Sequence, residues 1–265
     1  MSSSSRCLDQ VVVITGASMG IGEALARAFL AEGARVVMSS RDIVRLEEAR
    51  RRVGALERTA AIACDVSDRT QVHELVGRSR DLFGRIDVWV NNAGYGLQDS
   101  IVSMSMPECR RIFDTNFFGA IDCMQAITPL FKEQGRGTII NISSIVGHLP
   151  IPYLGAYSAT KHALNAISEA ARLELEPNGI RVINVCPGRI RTNFGANTVR
   201  GSEGKRLGES FQRGVSPERC ARAILRGYLR GSREVFVPWH GWWVSHLYEM
   251  CPAVVEVALR RMMTM

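Results

Sequence analysis

The chain has 265 residues, 46% hydrophobic and 22% charged, which fits one large folded domain and excludes a disordered, collagen-like or repeat-built chain. The net charge of +7 points to an anionic ligand, but the basic residues are spread along the chain without interleaved aromatics, which argues against a nucleic-acid surface. No run of about 18 uncharged apolar residues occurs, so no transmembrane helix is expected, and the N-terminal MSSSSRCLDQ lacks the apolar region of a signal peptide.

In chain order, short apolar runs alternate with helical stretches. The strand-like runs are 11–16, 35–40, 59–64, 86–91, 137–143, 180–186 and 234–238. They are β-branched and nearly continuous in apolar character, as strands buried on both faces are. Helical segments are expected over 20–32, 42–53, 68–83, 107–134, 155–177 and 216–230, with Gly or Pro at many of the joins. This alternation predicts a single-domain α/β Rossmann fold: a doubly wound parallel sheet of about seven strands with helices on both faces. The cysteines at 7, 64, 109, 123, 186, 220 and 251 form no CxxC pair, and several sit in the strand-like runs. They read as reduced, mostly buried thiols of a cytoplasmic protein.

The first strand runs into Thr15-Gly16-Ala17-Ser18-Met19-Gly20-Ile21-Gly22. Glycines let a chain turn tightly and approach a pyrophosphate, and the next helix aims its free N–H groups at that anion. The spacing is G-x-x-x-G-x-G, so a turn that only packs strand on helix remains the alternative. The second strand ends Ser39-Ser40 and continues to Arg41. A small hydroxyl leaves room for a 2′-phosphate and a guanidinium pairs with it, which favours NADP over NAD. Asp42 stays open as the competing residue: in a longer strand it would reach the ribose and reverse the preference.

Of the 33 basic residues only three are lysines, Lys132, Lys161 and Lys205. Lys161 stands four residues after Tyr157, and on a helix that spacing puts both side chains on one face. Ser144 follows the apolar run of the fifth strand, where a parallel sheet opens onto its ligand crevice. His148 is close to that loop, but a lone histidine carries no assignment.

Together these residues resemble the short-chain dehydrogenase/reductase family. The resemblance rests on TGASMGIG at 15–22, CDV at 64–66, NNAG at 91–94, Asn116, ISS at 142–144, YSATK at 157–161 and PGRIRT at 187–192, and covers roughly residues 10–195. It implies Tyr157 as catalytic acid/base and Lys161 as the group that lowers its pKa and binds the nicotinamide ribose. It implies Ser144 as the serine that orients the substrate oxygen and Asn116 as the holder of a proton-relay water. For the cofactor it implies Gly16, Ser18, Met19, Gly20, Ile21 and Gly22 at the pyrophosphate, and Ser40 and Arg41 at the adenosine ribose. Asp65 and Val66 would face the adenine. Asn91, Asn92, Ala93 and Gly94 would line the nucleotide, and Pro187, Gly188, Ile190 and Thr192 would sit near the nicotinamide carboxamide. Met19 departs from NADP-preferring relatives that carry a basic residue there, which leaves Arg41 as the main 2′-phosphate candidate.

The implied chemistry interconverts a carbonyl and an alcohol on a small molecule, and the implied assembly is a homodimer or homotetramer. An unperturbed phenol has a pKa of about 10; a nearby ammonium lowers it, but one lysine in water does not suffice, and a drier site together with a cationic oxidised nicotinamide would bring it toward the operating pH. The alternative is a non-catalytic dinucleotide-binding sensor or scaffold on the same fold.

Two regions break the pattern. Residues 188–215 are rich in Gly, Arg, Ser and Asn and read as a loop closing over cofactor and substrate. The tail, 238–265, carries three of the four tryptophans and a Met-rich end. It has three readings, as pocket cover, subunit contact or peripheral membrane contact, with Arg260 and Arg261 available to anionic head groups and Pro252 breaking any single helix. The first two are preferred, and an apolar tail near a pocket hints at a hydrophobic substrate.

Overall fold

The computed structural model describes residues 5–202 and 214–263. Part of the expected loop, 203–213, therefore lies outside the described residues. In chain order the first elements are β1 (Val11–Thr15), α1 (Gly20–Ala31), β2 (Arg35–Ser40), α2 (Ile43–Val53), β3 (Thr59–Ala63), α3 (Arg69–Phe83), β4 (Val88–Asn91) and β5 (Leu97–Gln98). Then follow α4 (Met106–Phe113), α5 (Gly119–Gln134), β6 (Gly137–Ile142), α6 (Gly155–Leu175) and β7 (Ile180–Pro187). The chain closes with β8 (Val199–Arg200), α7 (Pro217–Arg230), β9 (Glu234–Val237), α8 (Gly241–Met250) and α9 (Pro252–Met263).

Seven strands form one parallel sheet in the order β3-β2-β1-β4-β6-β7-β9. All seven expected strands are in it. Its two faces are both buried because alternate side chains of a strand point opposite ways. Val12 and Ile14 of β1 pack with Leu25, Phe29, Ile224 and Tyr228 on the side of α1 and α7. Val11 and Val13 pack with Leu75, Trp89, Ile127 and Phe131 on the side of α3 and α5. Polar caps set the helix starts: Asp42, Asp68, Ser105 and Ser216 each accept from a backbone N–H of the following turn.

One row of the sheet is polar. Asn91, Asn141, Asn184 and Glu234 are register partners across β4, β6, β7 and β9. The Asn91 amide donates to Asn141 Oδ1 at 2.8 Å, and the Asn141 amide donates to Ser168 Oγ of α6 at 2.8 Å. Buried amides need such partners, so the row ties α6 to the carboxyl half of the sheet.

The expected helix over 107–134 is interrupted. Residues Asp114–Phe118 form a π-turn between α4 and α5, with Asn116 buried inside it. The wider turn frees that side chain from the regular helical face: Asn116 accepts from the Tyr95 backbone N–H at 3.1 Å and donates to the Tyr95 carbonyl at 2.9 Å. The two-residue strands β5 and β8, absent from the sequence reading, pair in parallel and clip residues 199–200 beside the sheet. The tail forms two helices broken at Pro252. Among the described residues no helix is long and apolar enough to cross a membrane.

Candidate active site

The glycine turn lies between β1 and α1. Gly16 has φ +63°, and a Cβ there would come 2.8 Å from Ala93 Cα; Gly20 has φ +60°, and its Cβ would come 3.2 Å from the Thr192 methyl. Both positions therefore need glycine on conformation and on space. Met19, the N-cap of α1, contributes no side-chain cap. The first backbone N–H groups of α1 are thus left for an anion, as the phosphates of a dinucleotide require. The residues fit a dinucleotide at this turn.

Lys161 and Tyr157 both lie on α6 and are buried. Lys161 Nζ donates to the Ile142 carbonyl at the end of β6, 2.8 Å away, and stands 5.9 Å from the Tyr157 ring centroid. Ser144 caps the short turn after β6 by accepting from Val146 N at 3.3 Å, and its hydroxyl donates to the Pro187 carbonyl at 3.2 Å. Asn116 reaches the same helix: its amide donates to Thr160 Oγ1 at 3.3 Å. Four elements that are distant in sequence thus converge at the carboxyl end of the sheet.

Burial sets the titration of this group. It pushes the Tyr157 phenol up to about 12, and a hydrogen bond with Ser144 offsets only part of that. It also pulls the Lys161 ammonium down to about 8, against a smaller opposite effect of Cys186. Both shifts favour neutral forms. The protein's own groups therefore do not draw the phenol toward neutrality, in line with the expectation that one lysine does not suffice without a charged cofactor beside it.

A cleft of about 530 Å³ opens here, lined by Ser144, Tyr157 and Lys161 together with Gly16, Met19, Gly20, Ile21, Asn92, Gly94, Pro187, Gly188, Ile190 and Thr192. Ala93, Val66 and Asn116 instead meet Lys161 around a water-sized cavity of about 10 Å³. Ser18, Gly22, Ser40, Arg41 and Asp65 lie outside both linings. Arg41 projects beyond β2 with its side chain 66% exposed and faces Asp65 at 3.9 Å. Asp65 also accepts from Ser67 Oγ at 2.7 Å. Asp42 is committed elsewhere, accepting from Arg45 N at 3.1 Å as the cap of α2.

A family model described as short chain dehydrogenase matches residues 10–203. The chain belongs to the short-chain dehydrogenase family. It is 34% identical over 239 residues to dehydrogenase/reductase SDR family member 7B of Xenopus tropicalis, across 86% of this chain and 77% of that one. Among solved structures it resembles the 3-ketoacyl-(acyl-carrier-protein) reductase of Brucella melitensis complexed with NADH, with 28% identity, a TM-score of 0.79 and coverage of 87% of this chain and 97% of that one. A short chain dehydrogenase of Burkholderia cenocepacia in complex with NADP matches with 27% identity, a TM-score of 0.79 and coverage of 95% and 98%.

In this short-chain dehydrogenase the apolar wall of the cleft comes from residues the sequence reading does not single out: Ile145, Val146, Ile151, Leu154 and Phe194. The Phe194 ring lies 5.5 Å from that of Tyr157. The only sequence signal for Phe194 is its place in the expected loop, two residues after Thr192. Among the described residues, none of the tail lines the cleft. Trp239, Trp243 and Met250 are exposed, and at Gly241, the first residue of α8, a Cβ would come 3.0 Å from Ile145 Cδ1. His148 also turns away from the cleft, toward Cys186 and Glu234.

Proposed function

We propose that the chain is an NADP(H)-dependent oxidoreductase that interconverts a ketone or aldehyde and the corresponding alcohol on a hydrophobic small molecule. The observation that carries this reading is that Ser144, Tyr157 and Lys161 line the same cleft as the glycine turn, with an apolar wall beside them. When bound, NADPH supplies the hydride that reduces the carbonyl carbon. Gly16, Ser18, Met19, Gly20, Ile21 and Gly22 hold its pyrophosphate. Asp65, Val66, Asn92, Ala93 and Gly94 line the adenine and ribose side, and Pro187, Gly188, Ile190 and Thr192 line the carboxamide side.

Ser144 donates a hydrogen bond to the substrate oxygen and fixes its direction. Tyr157 gives its phenolic proton to that oxygen as negative charge builds there, so carbonyl, hydride and proton together make the alcohol. Lys161 binds the nicotinamide ribose and stabilises the phenolate left behind. Asn116, across the water-sized cavity from Lys161, holds the water through which a proton returns to Tyr157. In the oxidative direction the same groups act in reverse. The positive charge of an oxidised nicotinamide then adds to that of Lys161, which supports ionisation of a phenol that burial otherwise holds neutral.

Two observations support NADP over NAD. Arg41 is exposed and paired only loosely with Asp65, and the Asp42 carboxylate is engaged as a helix cap. The exposure of Trp239, Trp243, Met250 and Val254 supports a surface contact by the tail, with another copy of the chain or with a lipid surface. All seven cysteines are free, in keeping with a cytoplasmic setting. The test is NADPH oxidation over a panel of ketones and aldehydes, with Tyr157→Phe as control. Turnover by the native chain and loss of about 10²–10⁴-fold in the variant is the expected result; full activity of the variant rules out the assigned acid.

A further inference from the structure

Outside the cleft, three ligating groups of different chemistry meet. His148 follows the short turn after Ser144, Cys186 is near the end of β7, and Glu234 opens β9. His148 Nε2 lies 3.3 Å from Cys186 Sγ and 3.3 Å from Glu234 Oε1, and Sγ lies 3.5 Å from that same carboxylate oxygen. None of the three lines the cleft.

These separations match a coordination face. A tetrahedral zinc-class ion, with bonds of about 2.0–2.1 Å to nitrogen and oxygen and about 2.3 Å to sulfur, holds neighbouring donors roughly 3.3–3.6 Å apart. The surroundings also match what supports such a face. Glu249 of α8 places a carboxylate oxygen 3.8 Å from Nδ1, the other nitrogen of the same imidazole. A ligating histidine commonly has a carboxylate on that side, where it sets the tautomer. The Asn184 amide donates to Glu234 Oε1 at 3.2 Å and to Cys186 Sγ at 3.5 Å, so both anionic donors are oriented by a third residue. Charge balances as well: a thiolate and a carboxylate neutralise a divalent cation, and a neutral imidazole completes the face. Cys186 is buried, whereas His148 and Glu234 are partly open to solvent.

We propose that His148, Cys186 and Glu234 form a binding site for a divalent transition-metal cation of the zinc class, through Nε2, Sγ and Oε1, with water in the fourth position. Binding exchanges the Cys186 thiol proton for the cation and releases that proton to solvent. The site is structural with respect to the cleft. It joins the loop that carries Ser144 to β7 and β9, and Cys186 immediately precedes Pro187, whose carbonyl accepts from Ser144. The inference does not depend on the reaction assigned to the cleft.

The experiment is a titration of the full-length, tag-free chain with Co²⁺, read as the thiolate-to-cobalt charge-transfer absorption, followed by displacement with Zn²⁺. The expected result is one cation per chain, a charge-transfer band that disappears in Cys186→Ser, and affinity at least about tenfold weaker in His148→Gln and Glu234→Gln. His240→Gln, in the exposed segment before α8, keeps native affinity. Proton release is checked by calorimetry in two buffers of different ionisation enthalpy. Absence of the band, its persistence in Cys186→Ser, or native affinity in Glu234→Gln overturns the proposal. If circular dichroism shows that Cys186→Ser does not fold, Glu234→Gln decides by the same affinity criterion, because its side chain is partly exposed.

Discussion

Lys161 holds its ammonium 2.8 Å from the Ile142 carbonyl and 5.9 Å from the centroid of the Tyr157 ring, one helical turn away. Both groups are buried in the same wall, and burial favours the uncharged form of each. At neutral pH the buried phenol is therefore uncharged, while Lys161, with a pKa of about 8, keeps most of its charge against the burial that disfavours it.

The lysine should leave a mark on stability. Its folded-state pKa is lowered from 10.5 to about 8. Below about pH 8 the ammonium is protonated in both folded and unfolded chains, and burying it costs the fold on the order of 3 kcal/mol. Between about pH 8 and 10.5 the unfolded chain binds more protons than the folded one, so that cost fades as pH rises. The native chain should therefore gain stability relative to Lys161→Met over this window. Urea unfolding of both proteins at the two ends of the window measures it, and a constant difference contradicts the burial argument.

Ser144→Ala removes a hydroxyl that donates to the Pro187 carbonyl and whose presence beside Tyr157 lowers the phenol's pKa. We expect kcat for carbonyl reduction to fall by about 10²-fold with little change in the KM for NADPH, since the serine is assigned to the oxygen and not to the cofactor. Steady-state kinetics varying each substrate in turn separates the two effects.

Arg41→Gln tests cofactor choice. A charged hydrogen bond to a 2′-phosphate contributes about 1.5–3 kcal/mol, so kcat/KM with NADPH should fall roughly 10–100-fold while kcat/KM with NADH holds or rises. Equal losses with both cofactors would mean that Arg41 does not read the phosphate.

Phe194→Ala opens the apolar wall next to Tyr157. The KM for bulky apolar carbonyls should rise by up to about tenfold, the size of an aromatic contact, with the KM for NADPH unchanged. A panel of ketones of graded size gives the readout.

Two glycines should respond in opposite directions. Gly16→Ala places a Cβ 2.8 Å from Ala93 Cα at φ +63°, so it should destabilise the fold by about 1–3 kcal/mol and weaken NADPH binding. Gly77→Ala, inside α3 with nothing within 4 Å of the new methyl, should stabilise it by about 0.5–1 kcal/mol. Thermal or urea denaturation of both variants checks the pair.

Several features were legible in the sequence because local rules dictate them. Continuous β-branched runs such as Val11–Thr15 mark strands buried on both faces, and all seven expected runs enter the sheet. The glycine turn was legible because few residue types tolerate its conformation and crowding. The shared wall of Tyr157 and Lys161 followed from helical periodicity.

Contacts between distant segments were not legible. Nothing near Phe194 in the chain says that it meets Tyr157, and the π-turn that aims Asn116 at Tyr95 depends on packing that propensity does not encode. His148, which stood beside the site in sequence, faces Cys186 and Glu234 because β7 and β9 are neighbours in the sheet. The sequence by itself determined which elements form and which residue types stand at their ends, since backbone sterics and side-chain period act within a few residues. Only the tertiary structure decided how dry the site is, and with it the raised phenol and the lowered ammonium, because desolvation depends on every element packed around a group at once.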